Sequence, residues 1–491
     1  MKKIIISTGL LIAGILSINA QSIDEAFRYS QLFYGGTARF QAMGGAFTSL
    51  GGDLSVLGQN PAGLAVFRSP ALSITPQMYF NNSEVNFGDI SQDNVYDLNL
   101  NQAGVAFPLI KRNDNSGLVS LNLGYSYSKT NNYHENAIIK GTLNNSSMVD
   151  YFMDQAQGTD YTMLSGAEGI VFDVWMFDTI SGGGGLNYAS VFSEYGDNAN
   201  SDYGQIVRRV LSSEGGAAEH SFSIATNFND KIFLGFTLGI STIYSYTQYD
   251  HIEDDNSNLI YDFNTFSYSD VVETSGKGFS AKLGAIIKPV DFLRLGFAVH
   301  SPVVYRLNEY YYDSATGSYD NGDYYESQND AFRFSYTLTT PLRVTTGAAL
   351  QLGKKGIVSA DYEFVDYKMA RYSRASDDYN YYRENQDIRE IFDVAHNLRF
   401  GAEYRLTSSF YLRGGYALYG SGFARGEDNE DNVHSVLSGG IGIRQSNFYF
   451  DLSYAVRSNN SDYFMYSSPD LDPASISYKR NMLSATLGIR L

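Results

Sequence analysis

From Phe222 to the C-terminus the chain repeats one pattern: long stretches in which every second residue is apolar, with no Asp, Glu, Lys or Arg at the apolar positions. Ile232, Leu234, Phe236 and Leu238 alternate with Phe233, Gly235, Thr237 and Gly239, and the chain ends on Leu483, Ala485, Leu487, Ile489 and Leu491 alternating with Ser484, Thr486, Gly488 and Arg490. A period of two marks a β-strand with unlike faces. The second face carries the charges: Lys282, Arg294, Arg343, Asp361, Glu363, Arg399, Glu403, Arg413, Arg444, Asp451, Arg457 and Arg490. A charge facing lipid at mid-bilayer costs about 2–4 kcal/mol, so a face that touches acyl chains is purged of them. A soluble sandwich alternates too, but its strands are about 5–6 residues long. These run to about ten or more, which matches the roughly 9–11 residues of a tilted membrane-crossing strand.

Connection lengths supply the topology. Short turns at 229–231, 289–291, 352–356, 407–409 and 445–447 alternate with long polar stretches near 81–95, 131–218, 250–276, 307–331, 371–395, 421–433 and 459–480. Short periplasmic turns and long extracellular loops are the asymmetry of an outer-membrane barrel. The expected strands are 69–80, 96–108, 118–130, 219–229, 231–249, 277–288, 292–306, 332–350, 356–370, 396–406, 410–420, 434–445, 447–458 and 481–491, fourteen in all. Pro76, Pro108 and a phase slip between Leu100 and Ala103 predict a bulge in the first hairpin, and Pro341 predicts a local break in the eighth strand. A helix is expected around Ser147–Gln155 inside the longest loop.

The N-terminal part differs. Lys2 and Lys3, the apolar run Ile4–Ile18 and Ala20 read as an export signal over residues 1–20. Ser22-Ile-Asp-Glu25 is a capping-box pattern ahead of a helix through about Ser30. Residues 35–68, rich in Gly and Ala, show no period and read as a compact irregular segment that packs against a wall. The domain reading is therefore a signal peptide (1–20), an N-terminal hatch (21–68) and a barrel (69–491).

Composition removes other classes. The chain has 0 Cys, so no disulfide framework or thiolate metal site exists. A net charge of −18 argues against nucleic acid. The six histidines form no H-E-x-x-H, and no G-x-S-x-G, Walker or Rossmann motif occurs, so no enzyme, cofactor or metal is expected. The acidic runs Glu253–Asn256 and Glu427–Asp431 lack the Gly and distal Glu of an EF-hand and read as solvated surface.

Gly36-Thr-Ala-Arg39, Met43-Gly-Gly-Ala-Phe47, Gly52-Asp53 and Asn60-Pro-Ala-Gly-Leu-Ala65 resemble the N-terminal hatch signature of the long-chain fatty acid transporter (FadL-type) family. Pro341-Leu-Arg-Val-Thr-Thr-Gly347, Leu398-Arg-Phe-Gly-Ala-Glu-Tyr404 and Leu412-Arg-Gly-Gly-Tyr416 resemble that family's later strands. The resemblance spans the whole mature chain and implies an all-β fold: a 14-stranded antiparallel transmembrane β-barrel with an N-terminal periplasmic-side hatch, or plug. It further implies a monomer in the outer membrane of a Gram-negative bacterium, surrounded by outer-membrane lipid. The function it implies is passive uptake of a hydrophobic small molecule, a long-chain fatty acid or an aromatic hydrocarbon. Extracellular loops would capture the ligand, which would leave sideways at an inward kink in the third strand. Asn60, Pro61 and Ala62, with Gly63, carry over as hatch or gate residues. Gly124, inward on strand three, is a candidate for the kink, with close packing of the plug as the competing reading. The chain departs from many outer-membrane barrels in ending on Leu491 rather than an aromatic residue.

A fatty-acid carboxylate needs a lumenal cation. The inward candidates are Lys282, Arg294, Arg343, Arg399 and Arg413, which also stand to pair with inward acids or with the plug. Loop tyrosines such as Tyr310, Tyr311, Tyr312, Tyr324 and Tyr325 either form a greasy landing surface or cover one another. Tyr125, Tyr127, Tyr244, Tyr246 and Tyr305 read as an interfacial girdle. The reading from another class is a surface receptor or adhesin barrel acting through its long loops.

Overall fold

A computed structural model describes residues 23–111, 117–180, 184–192, 203–376 and 379–491. The export signal over 1–20, Ser22 of the capping box, and Gly182 and Gly183 lie outside the described residues. Fourteen antiparallel strands close into one barrel. They are Ala71–Phe87, Asp89–Lys111, Leu118–Asn132, Ile206–Phe228, Ile232–Asp254, Thr265–Val290, a seventh in two pieces (Leu293–His300 and Val304–Ser318), an eighth in two pieces (Phe332–Thr339 and Arg343–Leu352), Gly356–Asp366, Val394–Arg405, Phe410–Tyr419, His434–Gln445, Phe448–Tyr463 and Ala474–Arg490. The last lies antiparallel on the first from Ala71↔Arg490 to Asn86↔Ser475. Closure leaves the wall without an edge, as a bilayer requires of any sheet that crosses it.

The charge partition read from the sequence is the partition of the wall. Leu238, Phe279, Leu283, Leu437 and Leu487 stand exposed on the outer face, while Lys282, Asp361, Glu363, Arg399, Arg413 and Asp451 are buried inside. The first hairpin carries its bulge at Thr75/Pro76, where Asn101 has no partner in the ladder. The extra residue is used: Asn101 Nδ2 donates to the Gly36 carbonyl of the plug at 2.6 Å.

Several predicted loops are corrected. The stretch 81–95 is a tight hairpin turning at Gly88 (φ 76°). Much of 250–276 and 307–331 is also strand, since the fifth to seventh strands run on to Asp254, from Thr265 and to Ser318. Above the bilayer the outer face meets water, so hydropathic alternation fades while the hydrogen-bond ladder continues. The loop 131–218 holds a further strand, Glu135–Thr142, paired on Ile206–Ser213, and two helices, Met148–Ala156 and Gly166–Asp173. Ser147 caps the first of these, accepting from Val149 N at 3.0 Å.

The seventh strand is interrupted at Ser301–Val303 and the eighth at Thr340–Leu342. Pro341 foretold the second break. The first, at Pro302, was expected to be continuous strand, and proline's missing N–H accounts for it. The breaks are neighbours: Thr340 N donates to Val303 O and Val303 N donates to Thr340 Oγ1, both at 3.0 Å.

Apolar side chains gather at three levels. At the short-turn end, plug residues such as Phe40, Phe47 and Leu57 pack on Ala106, Ala225 and Ile286 of the wall. A middle cluster joins Phe27 to Tyr305, Tyr336, Tyr372 and Phe392. At the long-loop end, Val149, Phe152, Val171 and Phe177 pack on Phe266, Tyr268 and Ile476, so the loops form a cap with a core of its own.

Leu283 is 61% exposed on the outer face. Leu283→Arg is expected to destabilise the barrel by about 2–4 kcal/mol in lipid vesicles, read from reversible urea unfolding, with a smaller loss for the same change near either bilayer interface.

Candidate functional site

Residues 23–68 lie inside the barrel as two short helices, Ile23–Ser30 and Ala38–Ala42, and two 3₁₀ helices, Leu54–Gly58 and Pro61–Val66. The turns are set locally. Thr37, Asp53 and Asn60 each accept a backbone N–H of the turn that follows, from Phe40, Ser55 and Ala62 respectively, the N-cap interaction that satisfies otherwise orphaned donors. Pro61 follows Asn60 at the first helical position, where a missing N–H costs nothing.

The plug meets the wall through backbone, at places where the wall has no side chain. Gly235 and Gly284 face each other across strands five and six. A Cβ on Gly235 would land on Pro61, and one on Gly284 on Asn60 Oδ1. Gly296 and Gly347 face each other across strands seven and eight, and Thr48 fills their gap. Gly401 and Gly415 do so across strands ten and eleven, seating Met43 and Gly44. Three cross-strand glycine pairs therefore let the plug approach the sheet at backbone distance. Asn60 closes its seat by donating from Nδ2 to Thr48 O (2.6 Å) and to Ala285 O (3.2 Å). Ala62 and Gly63 are buried behind it, and Gly52 N donates to Gly63 O at 3.2 Å.

Two polar networks bolt the same surfaces. Glu363 accepts from Arg343 Nη1 (3.2 Å), Arg399 Nη2 (2.7 Å), Asn397 Nδ2 (2.8 Å) and the plug's Tyr34 hydroxyl (2.9 Å). Glu403 accepts from the plug's Arg39 (2.8 Å) and from Arg413 (2.7 Å), and Arg413 also reaches Asp451 (2.6 Å). Thr48 donates from both N and Oγ1 to Asp361 Oδ2, at 2.9 and 2.7 Å. Removing one partner of such a buried pair costs about 3–5 kcal/mol, because the other charge is stranded.

Each of the five candidate lumenal cations is held by protein groups. Lys282 donates to Glu219 Oε1 (2.6 Å) and Gly58 O (2.7 Å). Arg294 donates to Leu50 O (2.7 Å). Arg343 reaches Glu363 and the Ser30 carbonyl, Arg399 reaches Glu363, and Arg413 reaches Glu403 and Asp451. Gly124 pairs with Ala106 on one side and Ser223 on the other, and a Cβ there would stand 2.8 Å from Leu57 Cδ2 and 3.0 Å from Leu64 Cδ1 of the plug. The register shifts of this part of the wall lie at Pro108/Ile110, Leu118/Ser120 and Lys129/Asn131.

The lumen also holds a cavity of about 80 Å³ between plug and wall. Phe33, Tyr34 and Phe40 of the plug face Tyr79, Tyr419 and Met482 of the wall across it, and Arg457 stands at its margin. The Arg457 guanidinium lies 3.9 Å from the centre of the Phe33 ring and forms no ion pair with a described residue. The sequence placed Arg457 on the inward face but gave no reason to single it out. Its lack of a carboxylate is a property of the three-dimensional neighbourhood alone. Above the cavity the Ile23–Ser30 helix reaches the loop cap, with Phe27 against Tyr367 and Phe423 (both 4.8 Å between ring centres) and Arg28 over the Tyr133 ring at 4.5 Å. Burial pushes the Glu25 carboxyl of this helix up to about 7, with Arg28 acting against the rise.

Filling a glycine seat should unseat the plug without touching its sequence. Gly284→Val is expected to leave a folded, heat-modifiable barrel whose residues 23–68 become protease-sensitive, with ion conductance in planar bilayers rising above that of the native protein. Gly414→Val, on the outward face of strand eleven with open space around it and no left-handed backbone to strain, controls for folding.

No family model matches the chain, and no match is found among curated protein sequences. Solved structures do match. A Pseudomonas aeruginosa FadL homologue aligns over 94% of this chain and 99% of its own at 12% identity, with a TM-score of 0.57. The P. putida toluene transporter TodX aligns over 93% and 99% at 11% identity, with a TM-score of 0.55. End to end, plug and wall together, this chain has the fold of the FadL homologue and of TodX.

Proposed function

We propose that the protein is an outer-membrane channel of a Gram-negative bacterium for passive uptake of hydrophobic small molecules, rather than an enzyme. The observation that carries this reading is the aromatic cavity beside Arg457, in a barrel whose lumen is occupied by its own plug. An apolar solute gains nothing from a wide aqueous pore, because its driving force is to leave water. A filled lumen with a greasy recess gives it somewhere to go. The fold shared with a FadL homologue and a toluene transporter supports the same class of cargo.

Within that class the charge favours an acid. Arg457 has no carboxylate partner among the described residues, so a ligand carboxylate would complete it, while Phe33, Tyr79 and Met482 take the first carbons of the chain. Lys282, Arg294, Arg343, Arg399 and Arg413 stand as secondary candidates, available to a ligand only at the expense of the bonds they already make. Passage past the recess requires the plug to shift, and the Asn60–Gly63 turn, seated on glycine, is the gate we assign. For departure into the membrane we propose the wall beside strand three, where bulges flank Gly124 on both its own strand and its neighbour.

The test is uptake by cells lacking the protein and complemented with variants. Native protein is expected to restore uptake of labelled oleate, and Arg457→Gln to raise the half-saturating oleate concentration about tenfold, the equivalent of one charged hydrogen bond of about 1.5 kcal/mol. Toluene uptake, having no charge to lose, should change less than twofold. Equal oleate uptake with and without the protein would end the reading.

A second reading, a surface receptor, draws on one feature of the cap. Trp175 is held at φ 63° and half-exposed, with Phe172 and Tyr325 each 6.5 Å away between ring centres. A bulky residue in the left-handed region is costly and is kept where something depends on it.

A further inference from the structure

A second cavity, of about 300 Å³, opens at the short-turn end of the lumen between the plug's Leu50–Gly52 and the ends of the surrounding strands. Its lining contradicts the chain as a whole. The protein carries 53 acidic against 35 basic residues, yet the cavity is lined by seven cations and one acid. That acid, Glu403, is already shared by Arg39 and Arg413. The other six cations, Arg294, Lys354, Lys355, Arg405, Arg444 and Arg490, form no ion pair with a described residue. They come from five different strand ends and turns, so no local sequence pattern brings them together.

The guanidinium groups are aimed rather than loose. Arg294 Nη1 is fixed on Leu50 O at 2.7 Å, Arg490 Nη2 on Gly52 O at 3.2 Å, and Arg444 lies over the Tyr411 ring at 4.5 Å. Each contact uses one nitrogen or one face and leaves other donors for the cavity. Arginine's planar fork matches an oxyanion in two parallel hydrogen bonds, and a cleft lined by one sign of charge with low-dielectric walls concentrates counter-ions. The floor is apolar, made by Leu50, Ala349 and Ile357, and the volume is at the lower end of that of small-molecule sites, about 300–1,000 Å³.

We propose that this vestibule binds an oxyanion, carboxylate or phosphate, that carries a short apolar chain. Two sources have this chemistry: a free organic acid in the lumen, and a lipid headgroup reached at the membrane edge. The proposal does not rest on the uptake reading, since the vestibule lies at a different level from Arg457 and is tested on the purified protein.

The experiment is titration calorimetry on the full-length protein in neutral detergent, with hexanoate for the free acid, dihexanoyl phosphatidylglycerol for the headgroup and hexanol as the uncharged chain. One of the two anions is expected to bind saturably and more tightly than hexanol, and the one that does identifies the source. Its affinity should fall with added NaCl and fall about tenfold in the Arg294→Gln/Arg444→Gln variant, the loss of one charged hydrogen-bonded contact. Lys354→Gln/Lys355→Gln, at an exposed turn where folding is not at stake, should weaken the same anion about threefold by removing field alone. Binding of neither anion above hexanol, or an affinity indifferent to both double substitutions, would overturn the proposal.

Discussion

A carboxylate inside a lipid-embedded wall must be matched on the spot, because a stranded buried charge costs a large share of a domain's whole margin of stability. Most of what is specific about this interior follows from that demand. Glu363 gathers two arginines, an amide and a phenol, and Glu403 gathers one arginine from the wall and one from the plug. Each acid is thereby a fastener, and two of its partners, Tyr34 and Arg39, belong to a segment that is not part of the sheet. The plug is held by the need of the wall's own charges for company. Against that background the positions that break the rule carry the functional argument. Arg457 in the recess and Arg294, Arg444 and Arg490 in the short-turn vestibule are cations that form no ion pair with a described residue.

The barrel was legible in the sequence because lipid imposes a penalty on each outward residue separately, and the signal accumulates along every strand. Leu283 outward and Lys282 inward can be told apart by parity alone. Above the bilayer no such penalty acts, so the strand extensions past Tyr249 and through Tyr310 read as loop although their backbones pair for a further turnless stretch. Proline marked the eighth strand's break at Pro341 but not the seventh's at Pro302, because Pro302 sits where the hydropathic phase was already ending.

The site was legible only in part, for a different reason. Asn60 and Pro61 form a local turn, and a local motif announced them. Gly235, Gly284, Gly296, Gly347, Gly401 and Gly415 are each visible as an inward glycine, but their meaning lies in pairing across strands, which needs the register. Arg457 and Arg294 look alike in sequence. What separates them is whether a carboxylate or a plug carbonyl lies within reach, and that is fixed by residues hundreds of positions away.

The plug's contacts are scattered along nearly the whole chain. Ala38 N bonds the Thr486 hydroxyl, Arg39 pairs with Glu403, Thr48 with Asp361, and Asn60 with the carbonyl of Ala285. The segment translated first thus has no complete seat until the strand translated last has closed the ring. Seating the cork is a report that the cask is whole: a barrel with a missing or misregistered stave would leave residues 23–68 unanchored, and the same looseness that exposes them to periplasmic proteases would mark the defective molecule for removal.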